Sequence, residues 1–157
     1  MFTKKSKMKK LLFLLLMVSA SSFAQLKATD INKLAKAYNA KLQEEFGDRD
    51  FQTVKAKKDG DSNIKQIVVH TIDYNGADMD PAFRAKLDDE NIAEEIEYLF
   101  EFGFYPTFKA LNVQYFIVDF TVINIDGKKY KTKRSFPIKD YNETEYNEEK
   151  VMNLIIR

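Results

Sequence analysis

The stretch from residue 113 to residue 138 restricts the fold more than any other part of the sequence. Val113 to Ile125 is rich in β-branched and aromatic residues and ends at Asp126-Gly127, a dipeptide that favours a two-residue hairpin turn. Lys128 to Ile138 then continues with a strand-like composition. The sequence therefore predicts an antiparallel hairpin, on which the rest of the chain packs.

A two-residue turn also predicts which side chains of the hairpin lie opposite each other. It places Asp119 opposite Arg134 and Thr121 opposite Thr132, with Tyr130 nearer the turn. Opposite charges and paired threonines fall together in this register, which supports it. We expect this face, which also carries Tyr115, to be open to water and ligands.

The other face of the hairpin is predicted to be core. Its first strand carries an unbroken apolar row, formed by Phe116, Val118, Phe120 and Val122. The lysines of the second strand are expected near a sheet edge, where their aliphatic stems cover apolar surface.

Helical and strand periodicities define the remaining elements. They predict a helix from about 30 to 46, strands over 51–57 and 64–74, two helices with a kink near Asp88 between Asp80 and Gly103, and a last helix from about 144 to 155. The Tyr105-Pro106 dipeptide is expected to bias the chain away from helix. The predicted class is α+β, in the order α-β-β-α-β-β-α, with helices on one face of a roughly four-stranded antiparallel sheet.

Residues 1–24 have the composition of a cleaved secretory signal peptide. Five lysines precede the apolar run from Leu11 to Val18, which is shorter than the roughly 20 residues of a membrane span. Ser22 and Ala24 fit a cleavage site before Gln25. Met1 and Met8 both remain possible translation starts.

Removal of this segment leaves a single domain over 25–157 and changes the net charge from +1 to −4, because residues 1–24 hold five lysines and no acid. We expect a protein that is exported to the periplasm or the extracellular medium and does not span the membrane. Its acidic balance gives no electrostatic reason to bind nucleic acid.

Composition also limits the chemistry. The chain has no Cys and one His, which excludes disulfides, thiol catalysis and Cys-ligated metals. The histidine, His70, has no motif for a nucleophile or metal near it, so we predict a structural or surface role and no cofactor. Asp59, Asp61 and Asn63 resemble the start of a calcium loop, although turn chemistry also explains them; weak calcium binding stays open.

The acidic run Asp88-Asp89-Glu90 has two interpretations. It could supply paired catalytic carboxylates, but acids in the first turn of a helix also complement its dipole. Glu94, Glu95 and Glu97 are expected to point away from the apolar stripe of the same segment. We therefore predict that these acids are solvated.

Aromatic residues are concentrated between Tyr98 and Phe108. Phe100 and Phe102 lie about 200° apart on a helix, so one helix face does not bury both. The cluster is either an aromatic corner of the core or an exposed patch that binds a partner. Phe104, Tyr105 and Phe108 follow the helix stop at Gly103, and we predict that Phe104 and Tyr105 contribute more to binding than to stability.

These patterns favour a small non-catalytic binding module that recognises an envelope or secreted protein, or a small apolar ligand. The predicted binding residues come from the aromatic segment and the hairpin: Phe104, Tyr105, Phe108, Tyr115, Asp119, Thr121, Tyr130, Thr132 and Arg134. Two alternatives stay open. One is a small extracytoplasmic hydrolase that uses His70 or a carboxylate pair, which a pocket joining His70 to Asp119 and Arg134 would favour. The other is an inhibitor or immunity-type protein that acts on a secreted partner.

Overall fold

The computed structural model describes residues 28–47, 53–58, 65–75, 79–123 and 126–157. The predicted signal peptide and the Asp59 to Asn63 stretch lie outside these ranges. Within them the chain belongs to the α+β class, as the sequence predicts. None of the described helices is both long enough and apolar enough to cross a membrane.

Five helical segments and four strands make up the described fold. In chain order they are α1 (Ala28–Phe46), β1 (Thr53–Lys58), β2 (Lys65–Asn75), α2 (Pro81–Glu101), α3 (Tyr105–Ala110), β3 (Val113–Ile123), β4 (Lys129–Phe136), a 3-10 turn (Ile138–Asp140) and α4 (Glu148–Leu154). The last helix begins later than predicted, because Asn147 caps it by accepting a hydrogen bond from the Lys150 N–H at 3.0 Å.

The prediction of a roughly four-stranded antiparallel sheet is wrong. The strands follow the order β1-β2-β3-β4, but β2 and β3 run parallel, and only the β1–β2 and β3–β4 pairs are antiparallel. Each antiparallel ladder is therefore only two strands wide. Parallel neighbours need a crossover connection, and α2 and α3 supply it by returning the chain to the end of the sheet at which β2 begins.

Helix α2 is continuous across the predicted kink near Asp88. Asp80 caps its start, since its Oδ1 accepts hydrogen bonds from the Ala82 N–H at 2.8 Å and the Phe83 N–H at 3.3 Å. Asp88 and Asp89 lie in the middle of the helix and are buried, so the first-turn interpretation of these acids is also wrong. The helical spacing of apolar residues is interrupted there because the buried face of the helix carries these two aspartates.

A glycine turn joins α2 to α3. Gly103 has a φ of +75°, and the Phe104 N–H donates to the Leu99 carbonyl at 2.8 Å, as in a Schellman motif. Helix α3 then starts directly at Tyr105, contrary to the prediction that Tyr105-Pro106 disfavours helix. Proline is tolerated because it occupies the first turn, where its missing N–H has no helical partner.

The core lies between the helices and one face of the sheet. Tyr38 of α1 contacts Phe108 of α3 and Phe116 of β3, with ring centroids 6.3 Å apart in both pairs. The Tyr38 hydroxyl donates to Glu95 Oε2 of α2 at 3.1 Å, so Glu95 is buried and not solvated as predicted. Ile92, Val118 and Val151 belong to the same cluster, which therefore joins α2, β3 and α4.

The register of the β3–β4 hairpin differs by one residue from the prediction. Asp119 pairs with Lys133, and Arg134 pairs with Val118. The last pair before the turn is Ile123 with Lys129, so five residues connect the paired strands. Pairing that continues from a two-residue turn would always leave an even number of residues between paired positions. A one-residue slip moves every side chain of β4 to the other face of the sheet.

Candidate binding face of the sheet

The structure separates the predicted binding residues into three groups. Phe104, Tyr105 and Phe108 lie in the core. The β3 residues Tyr115, Asp119 and Thr121 alternate with the buried row on that strand and are half-buried on the opposite face. The β4 residues Tyr130, Thr132 and Arg134 pair with Val122, Phe120 and Val118, so they lie on the helix side. The predicted site is therefore not assembled as one surface.

The aromatic segment belongs to the core and does not form an exposed patch. Phe104, Tyr105 and Phe108 are 6%, 2% and 0% exposed. The Phe104 ring lies 5.3 Å from that of Tyr38, and the Tyr105 ring stacks on Phe100 at 4.0 Å. The turn at Gly103 directs these rings inward, which corrects the prediction that they have few core neighbours. Their predicted contribution to binding loses its structural basis.

Arg134 is the centre of a buried ionic cluster on the helix side. Its Nε donates to Asp89 Oδ1 at 2.5 Å, and its Nη2 donates to the Ala85 carbonyl at 3.3 Å. Arg157 donates to the other oxygen of Asp89 from Nε at 2.9 Å and from Nη2 at 2.7 Å. Asp89 thus joins β4 and the end of the described chain to the middle of α2.

Asp88 extends this cluster. Its Oδ2 accepts a hydrogen bond from Thr132 Oγ1 at 2.8 Å and lies 3.8 Å from Nη2 of Arg134. Buried charges are tolerated when they are paired and hydrogen-bonded in this way. Sequence reasoning missed the cluster, although two signals pointed to it: the slip in the apolar spacing at Asp88-Asp89, and the single arginine among the lysines of β4.

We name the sheet face opposite the described helices the open face. It is formed by Tyr115, Ile117, Asp119, Thr121 and Ile123 of β3 and by Lys129, Lys131, Lys133 and Ser135 of β4. The three lysines are exposed and alternate along β4. Successive side chains of a strand point to opposite faces, so all three lie on this one face. They give the open face a positive row in a mature chain that we expect to be acidic.

The two ends of the open face differ in exposure. Near the hairpin turn the lysine row faces water, whereas Ile117 at the other end is 6% exposed. At that end Ser135 forms a short antiparallel bridge with Ile156, which places the Ile156 side chain, 49% exposed, on the same face. Binding to this face therefore depends on polar and cationic groups near the turn and on apolar groups near Ile156.

Tyr115 contributes an aromatic contact to this face. The Lys139 ammonium lies 5.1 Å from the centroid of the Tyr115 ring, within the range of a cation–π interaction. A hydrogen bond with Tyr115 raises the pKa of Lys139. Lys139 therefore stays charged and adds a fourth cation near the open face.

Several tyrosines and lysines have raised pKa values, which keep the tyrosines neutral and the lysines charged. Burial raises the pKa of Tyr105 above its ordinary value of 10.0, and burial together with Glu97 raises the pKa of Tyr146 to about 12. A hydrogen bond to Glu143 raises the pKa of Lys150. Activation of a lysine or tyrosine as a base needs a shift in the opposite direction.

One arrangement that would favour a hydrolase, a pocket shared by Asp119 and Arg134, is not formed. Asp119 and Arg134 lie on opposite faces of the sheet, so one pocket does not join them. His70 pairs with Asp119 in the parallel β2–β3 ladder, which fixes only its place along the backbone. Among the residues that the structure describes, no group of three or more His, Cys, Asp or Glu side chains is arranged to hold a metal ion.

Comparison of the chain with protein-family models, with curated proteins and with solved structures finds no match in any of the three.

Proposed function

We propose that the mature chain is an exported, non-catalytic interaction module that binds an envelope or secreted protein on the open face. One observation carries this proposal. Lys129, Lys131 and Lys133 are exposed on one face of the hairpin, on the side opposite the helical core of the described residues. A row of like charges at alternate positions on one face is electrostatically unfavourable by itself, and an acidic partner surface would neutralise it.

A protein partner fits this face better than a small apolar ligand. The apolar-ligand hypothesis depended on an exposed aromatic patch, and Phe104, Tyr105 and Phe108 are buried. The open face instead combines the lysines with Asp119 and Thr121 and has an apolar margin at Ile156. Mixed polar and apolar surface of this kind is typical of transient protein interfaces.

The absence of cysteine makes site-specific cross-linking a direct test. Thr121→Cys introduces a single thiol on the open face, and Glu97→Cys introduces one at an exposed position on α2. Each purified variant is labelled with a thiol-linked photo-cross-linker and irradiated with the envelope and secreted fractions of its source. We expect a discrete adduct from the label at position 121 and none from the label at position 97.

Charge variants test whether such an adduct forms through the open face. The adduct should disappear when Lys131→Gln and Lys133→Gln are added, and it should persist with Lys36→Gln and Lys86→Gln, which remove the same charge from exposed helix positions. Equal adducts from positions 121 and 97, or none from either, would reject the open face as a binding surface.

Export has its own test. The Ser22-Phe23-Ala24 pattern supports cleavage before Gln25. Intact-mass measurement of the protein recovered from outside the cytoplasm should give a chain that begins at Gln25. A mass that retains the apolar run from Leu11 to Val18 would reject the signal-peptide interpretation and the proposed location.

A further inference from the structure

The outer edge of β4 is defined by one backbone bridge. The Ser135 N–H donates to the Ile156 carbonyl at 2.9 Å, and the Ile156 N–H donates to the Ser135 carbonyl at 2.8 Å. Both backbone groups of Ser135 therefore point away from β3. Backbone groups alternate in direction along an antiparallel strand, so those of Lys133, Lys131 and Lys129 point to the same outer edge.

Other contacts agree with this direction. Nη1 of Arg134 donates to the Lys133 carbonyl at 3.1 Å. This carbonyl is therefore not paired with β3, in agreement with a direction toward the outer edge. In the part of the chain that the structure describes, β4 is the last strand of the sheet, and the bridge at Ser135 is the strand pairing on its outer side. The backbone from Lys129 to Lys133 thus presents an outer strand edge, at which the Lys133 carbonyl already accepts one hydrogen bond from Arg134.

The same three residues carry both features. Lys129, Lys131 and Lys133 direct their backbone groups to the outer edge and their side chains to the open face. Their Cα atoms lie about 6.8 Å apart along the strand, because the three lysines occupy every second position. A strand added at this edge would place its own alternate side chains directly opposite the lysines, with Cβ atoms about 5 Å apart.

We propose that the edge from Lys129 to Lys133 binds an extended acidic segment of a partner protein as an added antiparallel strand, in line with Ile156. This inference rests on the proposed function and names the partner class. Main-chain hydrogen bonds would supply affinity, and acidic residues at every second position would supply specificity. Ile156 shows that this edge accepts an antiparallel neighbour.

An opposing interpretation uses the same lysines. Charged residues on edge strands protect against pairing with other chains. That role excludes apolar and cationic strands, and it is compatible with selection of an acidic one, since binding specificity often combines attraction and repulsion. The two interpretations differ in one outcome, which is whether an acidic strand-forming peptide binds.

The test uses two synthetic peptides and the full mature protein. One peptide alternates Glu with Thr and Val, and the other has the same sequence with N-methyl groups on the backbone nitrogens that would face β4. Binding is measured by fluorescence anisotropy at low and at physiological salt. We expect the first peptide to bind and the methylated peptide to bind at least about tenfold more weakly.

Amide hydrogen exchange locates the contact. Peptide binding should slow exchange at Lys129, Lys131 and Lys133 and leave the exposed surface of α2 unchanged. The Lys131→Gln, Lys133→Gln double variant should bind at least about tenfold more weakly, whereas Lys36→Gln with Lys86→Gln should retain binding. Matching circular dichroism and unfolding midpoints establish that the variants are folded.

The outcomes separate this inference from the proposed function. Equal affinity for the plain and methylated peptides would overturn strand addition and leave an electrostatic contact on the open face. Failure of both peptides to bind, while the label at position 121 still cross-links to a protein, would also overturn strand addition and would support the protective role of the lysines. Loss of that cross-link would instead remove the proposed function itself.

Discussion

Arg134 of β4 donates from Nε to Asp89 Oδ1 of α2 at 2.5 Å, and both side chains are less than 10% exposed. This ion pair links the edge strand of the sheet to the middle of the longest described helix. Arg157 shares the same carboxylate, so one side chain positions β4, α2 and the segment that bridges to Ser135. The edge proposed to bind a partner is thus held in place by a buried charge cluster.

Asp89→Asn should destabilise the protein strongly. The substitution keeps the shape of the side chain but leaves Arg134 buried without its principal counter-ion. Removal of one partner of a buried pair costs about 3 to 5 kcal/mol. Denaturant unfolding measures this loss.

Glu90→Gln is the matched control, because Glu90 pairs with Lys86 at 3.4 Å on the exposed surface of the same helix. We expect a loss below about 1 kcal/mol. Similar losses for Asp89→Asn and Glu90→Gln would mean that the Asp89 cluster is solvated.

The hairpin shows how much of the fold the sequence predicts and where prediction fails. Composition and Asp126-Gly127 correctly indicate two strands with a connection between them. The register was missed because Asp126-Gly127 fits both two-residue and longer connections; here Asp126 Oδ1 accepts from the Lys128 N–H at 3.0 Å, and Gly127 has a φ of +75°. Local turn chemistry does not distinguish the two, whereas burial of Arg134 against Asp89 does.

A double-mutant cycle tests this register. Arg134→Gln combined with Asp89→Asn should show a coupling energy of about 0.5 to 3 kcal/mol, because the two groups are in contact. Arg134→Gln combined with Asp119→Asn should be additive within about 0.5 kcal/mol, because these residues lie on opposite faces of the sheet. Strong coupling between positions 119 and 134 in denaturant unfolding would contradict the observed register.

Parallel pairing of β2 with β3 was missed for a different reason. Two hairpins are visible in the sequence, but their relative direction depends on where the connecting helices return the chain. Periodicity in α2 does not carry that information, because its buried stripe includes Asp88, Asp89 and Glu95, which read as solvated positions. The side chains that pair with these acids and allow their burial, Arg134 and Tyr38, are distant from them in sequence.

Phe104→Ala should lower stability far more than it lowers binding. Its side chain is 6% exposed and packs on Tyr38, so truncation should cost about 3 to 5 kcal/mol. Phe83→Ala removes the same atoms from a side chain that is 55% exposed, and it should cost well under 1 kcal/mol. A small loss of unfolding free energy in Phe104→Ala would restore the exposed-patch interpretation of the aromatic segment.

Alkaline pH should unfold the protein partly through Tyr105. Burial raises its pKa above the ordinary 10.0, and its hydroxyl donates to the carbonyls of Ile138 at 3.2 Å and Tyr141 at 3.3 Å. Above pH 10 the unfolded chain releases this proton while the folded chain retains it, so stability is full below pH 10 and falls as the pH rises further.

Tyr105→Phe removes the group that titrates. The variant should be less stable than the wild type near pH 8 by about 1 kcal/mol, and this difference should shrink steadily above pH 10. Tyr130→Phe, at a side chain that is 47% exposed, removes a hydroxyl from the surface and should change the stability near pH 8 by less than about 0.5 kcal/mol. Urea unfolding over this pH range gives all three curves. A constant difference between wild type and Tyr105→Phe above pH 10 would show that Tyr105 is not the buried hydroxyl that limits alkaline stability.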